Sequence, residues 1–209
     1  GIYASFMPKP IAEQNGSGMH IHLSLFNVDK NIFFDKDAPR CLSKEGEHFI
    51  AGLIRHAKEY FAVTNQWINS YKRFHIGYEA PTRISVGGGD NTCYIRIPMC
   101  RGNKPESMRV ELRSPDPACN PYLALSAILA AGIRGIDDAL EVLSDDGFEA
   151  FHIPTSLSYA LLYFYKREKI KKTLGDIIMD RFILNKYDEI RKYHSFVTDF
   201  ELKTYLPIL

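Results

Sequence analysis

Three short segments of this chain alternate strictly between polar and apolar side chains, a period that a strand can use and a helix cannot. Residues 19–26, MHIHLSLF, set His20, His22 and Ser24 against Ile21, Leu23 and Leu25. Residues 109–113, RVELR, set Arg109, Glu111 and Arg113 against Val110 and Leu112. Residues 94–98, YIRIP, set Arg96 against Ile95 and Ile97. Such strands form a sheet with one apolar face, which must be covered, and one polar face.

The cover is expected from helices. Strand-like segments dominate residues 1–34 and 78–114, and helical ones 43–64 and 120 onward. Ser43 is placed to cap a helix over Lys44–Val63, whose Phe49, Ile50, Leu53, Ile54, Ala57 and Phe61 recur at helical spacing. Asn120 and Pro121 open a second helix, expected to reach about Leu143 and to be buried on most sides. After Pro154, Leu157, Ala160, Leu161 and Phe164 mark a third. Its end carries Lys166, Arg167, Lys169, Lys171 and Lys172, a solvated charged face. A long helix then runs through Tyr187, Ile190, Tyr193 and Val197, with its aromatic residues expected in the core. The class is α+β, an antiparallel curved sheet with helices on its outer side.

Bulk composition narrows function by exclusion. With 209 residues, 45% hydrophobic and 24% charged, and net charge +1, the chain has the make-up of a folded domain and no general basic surface for nucleic acid or anionic membrane. No apolar run reaches the ~18 residues of a membrane span. Cys41, Cys93, Cys100 and Cys119 are widely spaced, which fits reduced thiols in a cytoplasmic protein better than disulfides or a zinc site.

The polar sheet face could be an ordinary wet surface, with Glu111 in an ion-pair ladder. Its residue types argue for more. Two histidines, a glutamate and several arginines, with little lysine, combine ligands for a divalent metal with bidentate partners for phosphate or carboxylate. The glycine turn Gly16-Ser17-Gly18 lets backbone approach a ligand closely. Between the strands lies NSYKRFHIGYEAP, residues 69–81, with the polar and aromatic make-up of a binding loop; Arg73 and Glu79 are its charged candidates.

KPIAEQNGSGMHIHLSLF, NSYKRFHIGYEAP, YIRIP and RVELRSPDPACNPYLALSAILAAGIRGI, in this order and spacing, resemble the C-terminal catalytic region of glutamine synthetases. The likeness is strong over residues 1–140 and looser beyond. It implies the glutamine synthetase/guanido kinase-like catalytic fold, with residues 1–209 forming the C-terminal part of the catalytic domain. The family's N-terminal β-grasp domain and several metal-binding glutamates are expected upstream of Gly1. It implies ATP with Mg²⁺ or Mn²⁺ as cofactors, glutamate and ammonia as substrates, and a ring-shaped homo-oligomer with active sites between subunits. The reaction would join ammonia to the γ-carboxylate of glutamate through γ-glutamyl phosphate. Phosphoryl transfer of this kind needs cations on phosphate oxygens and a base for the incoming nitrogen.

Carried over by position, the resemblance makes His20 and Glu111 metal ligands. His22, Ser24, Arg96 and Arg109 become nucleotide contacts, with Arg96 also acting on the transferred phosphate. Asn15, Gly16, Arg73 and Arg113 face the glutamate substrate, and Glu79 is the flap residue that helps deprotonate ammonium. Glu111→Ala is accordingly expected to abolish metal-dependent turnover with the fold largely intact.

Two departures stand out. GGGDNTCYIRIP puts Asn91 where the family usually has an arginine, and Arg83 is the nearby residue able to make up the loss. The segment between Gly147 and Pro154 lacks the tyrosine that some bacterial members adenylylate. Three readings stay open: a glutamate–ammonia ligase, a γ-glutamyl ligase using a larger amine, and a non-catalytic relative.

Overall fold

The computed structural model describes residues 1–75, 77–89, 91–100, 104–142, 152–166 and 168–208. The loss of the adenylylation tyrosine falls mostly outside them, as does Leu143. Four strands form the main sheet in the order β1 (Ile21–Leu23), β6 (Val110–Leu112), β5 (Ile95–Arg96), β4 (Val86–Gly87). The pairs β1–β6 and β6–β5 are antiparallel, whereas β4 runs parallel to β5, so the sheet is mixed rather than wholly antiparallel. A separate hairpin joins β2 (Phe26–Asn27) to β3 (Lys30–Asn31). The strands are shorter than expected, and residues 1–20 hold none. That segment follows a line set by Pro8, Pro10 and hydrogen bonds to other loops, such as Ser17 N to Pro8 O and Met19 N to Pro115 O.

The alternation nonetheless fixes the faces. Ile21, Ile95, Val110 and Leu112 are buried, while His20, His22 and Ser24 are exposed. Tyr94, beside β5, donates its hydroxyl to Tyr60 Oη at 3.2 Å, and Tyr60 donates in turn to Leu53 O at 3.0 Å. This buried relay fastens the sheet to the helices.

The helix expected over Lys44–Val63 is two, α1 (Lys44–Arg55) and α2 (Ala57–Thr64), broken at His56. His56 leaves helical geometry at ψ 6°. Its Nδ1 lies 2.9 Å from Glu59 Oε1, a buried contact inside the bend. Ser43 caps α1 by accepting from Gly46 N, and Asn120 caps α3 (Pro121–Asp137) by accepting from Tyr122 N and Leu123 N. The second expected helix, α3, ends earlier than expected because Ala139, at φ +46°, turns the chain left-handed. Ala139 N bonds Ile136 O and Leu140 N bonds Gly135 O, the paired closure of a Schellman end. Nor is α3 buried on most sides: Tyr122, Leu125 and Ile133 are exposed.

Its buried face meets α1 at glycines. A β-carbon on Gly135 would lie 2.0 Å from His48 O, and one on Gly52 2.3 Å from Ala131 O. Backbone against backbone cannot yield as a side chain can, so Gly135→Ala is expected to cost at least the ~1–3 kcal/mol of core overpacking, read as a lowered denaturant midpoint.

Beyond α3, α4 (Leu157–Lys166) buries the expected Leu157, Ala160, Leu161 and Phe164. Next come α5 (Glu168–Leu174), α6 (Asp176–His194) and α7 (Asp199–Tyr205). Lys166 and Lys172 are exposed, as a solvated face requires; Arg167 and the side chains of Lys169 and Lys171 lie outside the description. On α6, Ile190 is buried but Tyr187 and Tyr193 are largely exposed. The helix stops before the exposed Val197, so these aromatic residues are not core. None of the described helices is long and apolar enough to cross a membrane.

Candidate active-site face

Glu111 lies at the centre of the polar strands. In register it faces His22 on β1 and Arg96 on β5. Its carboxylate is only 1% exposed, and a charge so placed must be neutralised locally. His20 Nδ1 stands 2.9 Å and Arg113 Nη1 3.2 Å from Oε1, while Arg96 Nε stands 2.6 Å from Oε2. The Arg96 approach is an ion contact without hydrogen-bond geometry, so buried Oε2 keeps unused lone pairs. Burial works against ionisation of Glu111, but Arg96, His22 and Arg113 outweigh it and hold the carboxyl below its ordinary range.

Burial, followed by the charge of Arg113, pushes the His20 pKa down despite Glu111. His20 is therefore neutral at pH 7. Because an ionised carboxylate only accepts, Nδ1 carries the proton and Nε2 retains its lone pair. Gly18 leaves room there: a β-carbon at that residue would lie 3.3 Å from His20 Nε2.

Both shifts act on stability in the same direction. His20 takes up its proton in the unfolded chain near 6.5 but only at lower pH when folded, so its contribution is complete above 6.5 and declines as pH falls through the folded value. Glu111 adds a second loss as pH falls below its ordinary 4.5. Stability measured by urea midpoint is expected to fall from pH 6.5 downward, and His20→Gln to flatten the first part of that fall.

The rest of the face is built around this pair. Arg109 Nε donates to His22 Nδ1 at 3.2 Å, and its Nη1 to Ser107 O at 3.0 Å. His22, Ser24, Arg96 and Arg109 all retain solvent exposure. Two expected substrate contacts are placed otherwise. Arg113 is buried, with Nη2 donating to Asn91 O at 2.6 Å. Arg73 is 3% exposed, and its guanidinium reaches the carbonyls of Ser17, Arg113, Ser114 and Pro115. Burial lowers its pKa to about 10, which still leaves it charged at pH 7. Its role in the described structure is to anchor the chain after β6 beneath the glycine turn. A β-carbon on Gly16 would lie 2.4 Å from Arg73 Cγ, so Gly16 serves this packing. Asn91 supplies a carbonyl to Arg113 and exposes its side chain. Arg83 is exposed and bridges to His152.

The two candidate loops meet. Glu79 N donates to Asn15 Oδ1 at 3.2 Å, leaving the Glu79 side chain exposed. Asn69 and Lys9 exchange hydrogen bonds at 2.7 and 3.0 Å, Tyr78 Oη donates to Ala12 O, and the Lys9 ammonium sits 3.6 Å above the Tyr78 ring. These fasteners were not singled out in the sequence. Neither was Asp116, fully buried and facing Arg73 with its charge, nor Glu189, which accepts from Ile68 N and so caps the turn Ile68–Arg73. Pro115 and Pro117 around Asp116 were the available signal for the first; nothing in the sequence marks the second.

Among the described residues no group of three or more His, Cys, Asp or Glu side chains is arranged to hold a metal. His20 and Glu111 supply two donors, a neutral imidazole and a carboxylate with free lone pairs, and they fit a divalent cation as part of a larger ligand set.

Comparison with known proteins bears on the family and fold of the chain. Residues 1–205 match the family model described as glutamine synthetase, catalytic domain. The chain belongs to the glutamine synthetase family. It is 45% identical to the glutamine synthetase of Mycolicibacterium smegmatis, with all of this chain and 50% of the relative aligned. Identity to that of Thermotoga maritima is 43%, covering 99% of this chain and 49% of the relative. The chain thus spans about half the length of the glutamine synthetases it matches. Among solved structures, the ADP complex of GmaS superposes with TM-score 0.84 at 34% identity, over 97% of this chain and 49% of that one. Plasmodium falciparum glutamine synthetase does so with TM-score 0.85 at 26% identity, over 96% and 49%. The expected α+β glutamine synthetase fold is therefore observed.

Proposed function

We propose that this chain is the C-terminal catalytic part of an ATP-dependent ligase that joins ammonia to the γ-carboxylate of glutamate. The observation that carries the reading is the juxtaposition of neutral His20, buried Glu111 and half-buried Arg96 and Arg109 on one sheet face. His20 and Glu111 would hold one divalent cation, Mg²⁺ or Mn²⁺. Such an ion, when bound, neutralises ATP phosphate charge. The remaining ligands would come from outside the described residues, which fits an active site shared between subunits of a ring.

The residues present divide the remaining work. Arg96 and Arg109 offer guanidinium donors to phosphate oxygens, the charge compensation on which phosphoryl transfer depends. His22 and Ser24 line the same exposed face for the nucleotide. Asn15 and Gly16 would shape the loop beside the glutamate; the Asn15–Glu79 bond joins that loop to the backbone of Glu79, whose exposed carboxylate would take a proton from ammonium. Arg73 and Arg113 hold this framework together from below.

Asn91 supports a second reading, in which a larger amine replaces ammonia. Its side chain is exposed where an arginine would stand, leaving that position without the extra charge. The full-length protein is expected to release phosphate from ATP with glutamate and ammonium, and the isolated 209-residue chain to release none. Release only with larger amines in an acceptor panel would replace the first reading by the second. No release with any acceptor would overturn both.

A further inference from the structure

A lysine outside the set of candidate site residues is buried where the two candidate loops meet. Lys9 is 8% exposed, and among the described residues no carboxylate pairs with its ammonium. Instead Nζ donates to Gln14 O and stands 3.6 Å from the centroid of the Tyr78 ring. A buried charge is costly unless its compensating contacts are kept together. The Lys9 backbone is fixed as well. Asn69 Oδ1 accepts from Lys9 N at 2.7 Å, and Asn69 Nδ2 donates to Lys9 O at 3.0 Å. Asn69 belongs to the turn Ile68–Arg73, whose Ser70, Tyr71 and Arg73 are buried. Lys9 thus reaches from a firm base to Tyr78, the residue before Glu79. Gly77, which precedes Tyr78, adopts φ +96° with open space around its β-position, and a glycine there imposes little constraint of its own. The approach to Glu79 is therefore set by side-chain contacts: Lys9 over the ring, Tyr78 Oη donating to Ala12 O at 3.1 Å, and Glu79 N donating to Asn15 Oδ1 at 3.2 Å. On the far side of Glu79 the chain is held by buried Ala80.

We propose that Lys9 is a positioning residue for Glu79. The inference rests on the ligase reading, in which one N–H proton of ammonium passes to a Glu79 carboxylate oxygen and leaves the nitrogen a lone pair for attack. Lys9 acts through the loop. Its ammonium pins the Tyr78 ring, and the ring and the Asn15 bond hold the backbone of Glu79 from two sides. The carboxylate is then left with only its own side-chain rotations to search. Through Gln14 O the same ammonium also closes the segment that leads into Asn15, so one side chain sets both loops. A cation over an aromatic face holds more firmly when desolvated, as Lys9 is, than on a wet surface. Misplacing a reacting group by about 1 Å can cost on the order of 10²-fold in rate.

The test compares wild type, Lys9→Met and Lys9→Arg in the full-length protein, by phosphate release from ATP with glutamate and either ammonium or hydroxylamine. Hydroxylamine is mostly neutral near neutral pH and attacks without first giving up that proton. Lys9→Met should lower turnover with ammonium by roughly 10–100-fold and turnover with hydroxylamine distinctly less. Lys9→Arg, which keeps a cation over the ring, should recover most of the loss. Hydrogen–deuterium exchange of Lys9→Met should quicken in the peptide carrying Tyr78 and Glu79 and stay unchanged in α1 and α3. Tyr78→Leu breaks the same contact from a half-exposed residue and should show the same split between acceptors, so the result does not depend on a buried lysine tolerating replacement. Equal losses with both acceptors, no recovery by arginine, or unchanged exchange at Tyr78 and Glu79 overturns the proposal and leaves the ligase reading standing. A wild type inert with both acceptors overturns the ligase reading, and this inference with it.

Discussion

On the proposed ligase reading, Glu111→Gln in the full-length protein should lower turnover by roughly 10²–10³-fold, the scale of removing one preorganised electrostatic group from an active site. Glu111→Ala should do the same and in addition destabilise the fold. The carboxylate is the sole acid among His20, Arg96 and Arg113 in the described contacts. Removing it leaves the largely buried Arg113 with only the Asn91 carbonyl facing Nη2. Breaking a buried ion pair from one side costs about 3–5 kcal/mol. The sequence alone suggested that alanine would leave the fold intact, because a ligand on a wet strand face has no structural duty. Burial of Glu111 changes that. Glutamine keeps the shape and can still accept from Arg113 but loses the charge, so the same loss of turnover with a smaller fall in denaturant midpoint than in Glu111→Ala separates the metal role from the packing and hydrogen-bonding role. Turnover within threefold of wild type in Glu111→Gln would reduce Glu111 to a structural link.

The contrast shows which parts of this fold local chemistry writes into the chain. Period-2 alternation assigned the faces of His20, His22, Ser24, Arg96 and Glu111, because a strand's geometry depends only on neighbouring residues. Helix starts at Ser43 and Asn120 were legible for the same reason: the capping side chain and the donors it satisfies lie within three residues. The break at His56 and the early end of α3 were not, since each depends on a conformation that stronger helix signals mask. Burial of the arginines was the least legible. Arg96 and Arg73 are the same residue type in similarly polar segments, and only the return of the chain at residues 113–115 encloses one and leaves the other partly open. The parallel pairing of β4 with β5 is likewise not a property of either two-residue strand.

Arg73→Ala is the substitution whose outcome the structure alters most. A residue that only holds a substrate carboxylate, when truncated, raises the KM for glutamate and leaves the melting temperature in place. Here the guanidinium serves carbonyls at residues 17, 113, 114 and 115, and it balances the buried charge of Asp116. Alanine strands those acceptors, each buried polar group left unpaired costing about 1–3 kcal/mol, and opens a void beneath Gly16. The expected result is a stability loss of at least about 3 kcal/mol, with turnover falling because the Gly16 loop and the Asn15–Glu79 contact lose their floor. Asp116→Asn in an otherwise intact chain should reproduce part of the stability loss, since it removes the counter-charge and keeps the arginine. A raised KM at an unchanged melting temperature in Arg73→Ala would instead return Arg73 to the substrate, and would mean that the guanidinium leaves these carbonyls when the rest of the site is assembled around it.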